Sequence, residues 1–178
     1  MKFIFFALVF VVFNSCSPSI HVYSDYDKEA DIANYRNYSW LSEQAIEAKG
    51  SNPLFYNELN DKRIKKAVDK QLLSKGFLLS TGDQPLTLHY HIIVEDKSLV
   101  VKEPEGYNYS NYWQNKKETV YTYQEGTLIV DLMDSKTKAL VWRGWATGVI
   151  ENEVTKNPEK AIDQAVKKIF RLFPYNRY

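Results

Sequence analysis

Two histidines one residue apart, His89-Tyr90-His91, are the most chemically suggestive pair in the chain. On a β-strand, alternate side chains share a face, which sets these two Cα atoms about 6.6 Å apart, a spacing that two ligands of one metal ion can use. Glu95 falls farther along the same face. A metal centre needs a further donor at fixed geometry, and no His or Cys spacing supplies it, so His89 and His91 stand as candidate ligands with no metal or other cofactor expected. The pair suits an ordinary polar strand face equally well. Catalytic residues are not expected either. The chain has no Gly-x-Ser-x-Gly elbow and no phosphate-cradling glycine loop, and only His21, His89 and His91 to serve as an imidazole base. Its 22 acidic residues leave a convergent carboxylate pair, as in glycoside hydrolysis, open on sequence grounds.

The other candidate surface is aromatic. Residues 103–117 bring together Tyr107, Tyr109, Tyr112 and Trp113 with no periodicity of helix or strand. About fifteen irregular residues are long for a connection in a compact domain and read as a flap or binding loop. Flat rings with polar tips suit a sugar, a peptide or a partner protein. The same rings would also serve as a cover for the sheet over Val141 and Trp145. Arg143, beside Trp145, is placed for a cation–π contact.

The N-terminus carries a different kind of chemistry. After Met1-Lys2, residues 3–13 form an unbroken apolar run. As a helix such a run spans about 16 Å, too short to cross a bilayer and suited to the core of a secretory signal. It ends in Asn14-Ser15-Cys16, and Cys16 is the only cysteine in the chain, so an intrachain disulfide is impossible. A small residue followed by Cys directly after an apolar segment resembles the lipobox of bacterial lipoproteins, in which that Cys carries fatty acyl chains such as palmitate and becomes the mature first residue. The expectation is a signal peptide over 1–15, lipidated Cys16 with a short leader over 16–19, and one domain over 20–178. No acidic run follows Cys16, which favours the periplasmic face of the outer membrane over export to the cell surface. Removing residues 1–15 takes away only Lys2, so 23 basic and 22 acidic residues become 22 and 22. A neutral chain gives no electrostatic reason to expect nucleic acid as a partner.

The elements that position these groups follow from hydrophobic periodicity. Residues 20–26 and 35–41 read as short strands, and 58–75 as a helix with Ile64, Ala67, Val68 and Leu72 on one stripe and Gly76 just past its end. Residues 85–101 alternate as the longest strand. The stretch 123–145 reads as a central hairpin turning at Asp134-Ser135, with Leu128, Val130 and Leu132 on one face and Thr127, Ile129, Asp131 and Met133 on the other. In its second strand Leu140, Trp142 and Gly144 are expected to alternate with Val141, Arg143 and Trp145. Asn157-Pro158-Glu159 opens a last helix, with a broad apolar stripe from Ala161 to Phe173 before Pro174. The fold class predicted is α+β: one antiparallel-rich sheet of about five strands, two helices packed on one face, in the order β-β-α-β-β-β-α.

Several of these segments together resemble the Gram-negative lipoproteins carrying the domain of unknown function 4136. The resemblance rests on Ser24-Asp25-Tyr26-Asp27, Tyr38-Ser39-Trp40, Asn52-Pro53-Leu54, the helix from Ile64 to Gly76, Tyr90-His91, Glu125-Gly126-Thr127-Leu128, Leu140-Val141-Trp142-Arg143-Gly144 and Phe173-Pro174. It implies an α+β body on a lipid anchor and no assigned activity. The functional expectation is a non-catalytic binding or structural module, held to the membrane by its anchor, with an envelope protein or glycan as partner. The alternative is a glycan-binding or glycan-processing envelope protein using the 107–113 aromatics.

Overall fold

The computed structural model describes residues 19–41, 52–81, 85–102, 118–150 and 152–174. The expected signal peptide, Cys16, and the aromatics Tyr107, Tyr109, Tyr112 and Trp113 lie outside the described residues.

Among the described residues, six strands form one mixed sheet: β1 (Ile20–Tyr26), β2 (Asn37–Trp40), β3 (Leu78–Leu79), β4 (Leu86–Lys102), β5 (Glu118–Asp134) and β6 (Leu140–Val149), in the spatial order β1-β6-β5-β4-β2-β3. Three α-helices among the described residues accompany it: α1 (Glu58–Ser74), the short α2 (Asn152–Lys156) and α3 (Pro158–Phe170). The α+β class and the predominance of antiparallel pairs match expectation. The strand and helix counts each rise by one, because two-residue β3 and five-residue α2 are too short to leave a periodic signal. The sheet is also mixed, since β2 runs parallel to both β3 and β4, with α1 in the connection from β2 to β4.

Local chemistry sets the helix ends. The Asn57 side chain accepts from the Asn60 N–H at the start of α1, and Gly76 beyond its end takes φ 86°, the left-handed conformation that glycine adopts without a Cβ clash. Asn157 caps α3 in the same way through Lys160 N–H, with Pro158 at the first turn. In the β5–β6 turn, Asp134 accepts from the N–H groups of Thr137 and Lys136 and from the Tyr35 hydroxyl, and these bonds, led by the Thr137 N–H, hold its carboxyl down at about 2.

The inner face of the sheet contributes Leu86, Leu88, Val130, Leu132 and Trp142, each fully buried. Ile64, Val68 and Leu72 of α1 and Val166, Ile169 and Phe170 of α3 close over them. A polar clamp reinforces this packing. Asp69 of α1 accepts hydrogen bonds from Tyr38 Oη at 2.7 Å and Trp40 Nε1 at 3.0 Å, while Tyr90 Oη donates to Asp61 at 2.8 Å. Burial, aided by the Asp69 carboxylate, pushes the Tyr38 hydroxyl well above the ordinary phenol range. Asp69 therefore belongs to the packed side of the helix.

A β-bulge between Leu132 and Met133 corrects the alternation expected in the second hairpin strand. Met133 faces Leu140, so Leu140 turns outward at 41% exposure while Val141 is buried beside Trp142.

Candidate functional site

No helix among the described residues packs on the outer face of the sheet, and its polar groups line up by register. His89 of β4 lies opposite Asp131 of β5, Asp131 opposite Arg143 of β6, and Arg143 opposite Asp25 of β1. Arg143 grips Asp131 through both guanidinium arms, Nε to Oδ1 at 2.7 Å and Nη2 to Oδ2 at 2.6 Å. This two-point fork uses the planar geometry that only arginine offers a carboxylate. Asp131 is 3% exposed and is the one buried carboxylate among the described residues. Arg143 therefore spends its charge on Asp131, while Trp145 stacks on Tyr23 at 5.4 Å, in place of the cation–π contact that the sequence suggests.

His89 and His91 do share this face, with ring centroids 4.0 Å apart and planes at 88°. Burial, with the neighbouring His91, pushes His89 below its usual value, against a smaller opposing pull from Asp131. The third potential donor, missing from the sequence pattern, is Asp131: donor atoms of His89, His91 and Asp131 lie within 4.8 Å of one another. Cross-strand register brings it there, and register is not written in local spacing. Two donors of one ion with bonds of about 2.1 Å can be no more than about 4.2 Å apart, so the set would have to contract and Asp131 would have to share its oxygens between the metal and Arg143. We expect no stoichiometric Zn, Cu or Ni after dialysis of the purified protein. Elemental analysis finding one equivalent that disappears in His89→Ala would reverse this and make the trio a metal centre.

Two further features were not legible in the sequence. An open apolar pocket of about 160 Å³ lies between the sheet and the helices, lined among others by Ile20, Ile64, Leu128, Ala146, Pro158 and Ile162. The second is an arm. β6 pairs with β5 only as far as Glu125↔Val149, but β4 and β5 remain paired with each other from Asp96↔Gln124 out to Lys102↔Glu118. Those seven pairs have no third strand among the described residues. The aromatic 103–117 segment joins Lys102 to Glu118, the last pair of this ribbon.

Helices on one face of a mixed sheet, an ion-paired polar row on the other and a projecting ribbon define a two-layer α+β domain built around surfaces. The chain belongs to the DUF4136 family, a domain of unknown function, whose model matches residues 22–175. It is similar in fold to a DUF4136 family protein from Bacteroides thetaiotaomicron, at 19% identity and TM-score 0.52, covering 88% of this chain and 96% of that one. It is also similar to a PDZ domain protein from Parabacteroides distasonis, at 12% identity and TM-score 0.54 over 90% of this chain. The match spans only 38% of that second protein's length. No curated protein matches the sequence.

Proposed function

We propose that this protein is a lipid-tethered, non-catalytic binding or structural module of the cell envelope, held at the periplasmic face of the outer membrane through acyl chains on Cys16. Its partner, an envelope protein or a glycan, is met by the aromatic segment containing Tyr107, Tyr109, Tyr112 and Trp113. The observation that carries the reading is the β4–β5 ribbon: seven strand pairs without a third strand among the described residues end at Lys102↔Glu118, the pair that this segment joins. An isolated two-stranded ribbon is marginal in water, and a chain that maintains one has put contact surface ahead of compactness. The one buried carboxylate among the described residues, Asp131, is neutralised by Arg143, which favours binding over acid–base chemistry.

Cys16→Ser tests the tether. Two or three acyl chains, at about 0.8 kcal/mol per buried CH₂, make release from a bilayer negligible, whereas an unacylated chain has no such hold. The variant is expected to lose its membrane retention or to accumulate with its signal uncleaved. Full retention of a processed Cys16→Ser protein in the membrane fraction would overturn the reading.

A further inference from the structure

We propose that the β4–β5 arm is itself a membrane contact, lying in the headgroup layer of the phospholipid bilayer to which Cys16 is tethered. The inference rests on the tether reading and adds to it an orientation and a second lipid-binding element.

Register establishes where the arm starts. Ile20 of β1 is level with Gly148 of β6, Gly148 with Gly126 of β5, and Gly126 with Val94 of β4. The first residue of β1 therefore sits at the same end of the sheet from which the arm departs. β1 runs away from that end and β4 runs toward and past it, since three successive antiparallel pairings separate them. Cys16 precedes Ile20 by four residues, which reach at most about 14 Å even when fully extended. The arm continues for the seven intervals from Glu95 to Lys102, about 24 Å at strand rise. An arm longer than the tether, leaving the same end of the body, meets the bilayer surface when it points along the tether or lies down beside it.

The composition of the arm fits that position. Four successive pairs, Ser98↔Thr122, Leu99↔Tyr121, Val100↔Val120 and Val101↔Thr119, contain no charge. Leu99 is 56% exposed and Val120 59%, and Val100, Val101 and Tyr121 are exposed with them. Alternation puts Leu99, Val101 and Tyr121 on one face and Val100 and Val120 on the other, so both faces present apolar groups. Depth is limited by the backbone. Beyond Gln124, whose carbonyl accepts from Ile150 N–H, both outer edges of the ribbon carry N–H and C=O groups without a third strand among the described residues, which hydrocarbon does not tolerate and the wet headgroup layer does. Lys97, Lys102, Asp96 and Glu118 bracket the uncharged stretch with balanced charge, so the contact does not depend on anionic lipid.

The test uses the full acylated chain, whose Cys16 thiol is blocked by the lipid. An environment-sensitive thiol probe is attached at Leu99→Cys in the arm or at Thr137→Cys in the turn at the opposite end of the sheet, and the protein is reconstituted in phosphatidylethanolamine–phosphatidylglycerol vesicles. The expected result is a blue shift at position 99 and loss of its emission on substituting brominated lipid, with neither change at position 137. A water-exposed probe at 99 on protein that floats with the vesicles would sink the arm contact and leave the tether standing. A probe at 99 shielded from water but indifferent to brominated lipid would mean that protein covers the arm, by a second copy or another partner, and would equally overturn the inference. Failure to float at all would remove the tether and the arm contact together.

Discussion

Trp142→Ala is expected to lower folding stability by about 3–5 kcal/mol, the range for deleting a buried tryptophan from a core that cannot collapse around the gap. The indole is fully buried in the middle of the sheet's inner face. Phe170 and Phe173 pack on it with ring centroids at 5.3 and 5.0 Å, so its removal strips contacts from α3 and from the chain beyond it at once. Gly144 is shaped to it. A Cβ built at Gly144 would stand 2.4 Å from Trp142 Cη2 and 2.6 Å from Ile169 Cγ2, both in fully buried side chains with no room to retreat. Gly144→Ala alone should therefore cost about 1–3 kcal/mol through overpacking. In a Trp142→Phe background the outer indole atoms are gone, and the Gly144→Ala penalty should shrink, giving a coupling that urea unfolding of the four proteins can measure. Trp142→Phe should also be milder than Trp142→Ala for a second reason: the indole Nε1 finds no hydrogen-bond partner among the described residues, so phenylalanine relieves an unsatisfied buried donor. Strictly additive effects of positions 142 and 144 would contradict the packing account.

Arg143→Ala should be the most damaging single change on the outer face. Removing one member of a fully buried ion pair costs about 3–5 kcal/mol; because 43% of the Arg143 side chain meets solvent, screening brings the expectation to about 2 kcal/mol. The cost arises mainly from what is left behind, a carboxylate with 5% side-chain exposure and no cation. Asp131→Asn keeps the shape and removes the charge, so it should cost less than Arg143→Ala, and the double variant should recover part of the Arg143→Ala loss. Equal destabilisation by the two single variants would show the pair to be a surface ornament of little energetic weight. The ordering is measurable from urea denaturation midpoints of the three variants.

These two sites illustrate how differently a core and a surface are encoded. The alternation of Leu128, Val130 and Leu132 against Thr127, Ile129 and Asp131 is local, because successive strand residues point to opposite faces whatever lies beside them. The stripe on α1 and the Asn-Pro start of α3 are local in the same sense, and the structure keeps both. Alternation alone places Val141 on the wrong face because a bulge adds one residue to the count, and a bulge depends on the partner strand. Alternation marks Asp131 as an outward acid but does not make it the partner of Arg143 or the neighbour of His89. Those relations span 12 and 42 residues of sequence and exist only once the register of β4, β5 and β6 is fixed.

The α+β class, the family, the turn at Asp134 and the apolar faces of the long strands are legible in the order of residues, because each depends on neighbours a few residues apart. Tertiary structure alone decided that β2 runs parallel inside a mostly antiparallel sheet, that a carboxylate is buried under an arginine fork, and that the β1 end and the β4–β5 arm leave the sheet together. Each of these is a relation between distant strands. Hydrogen-bond pairing between backbones sets such relations, and residue type influences them only through the packing of the whole sheet.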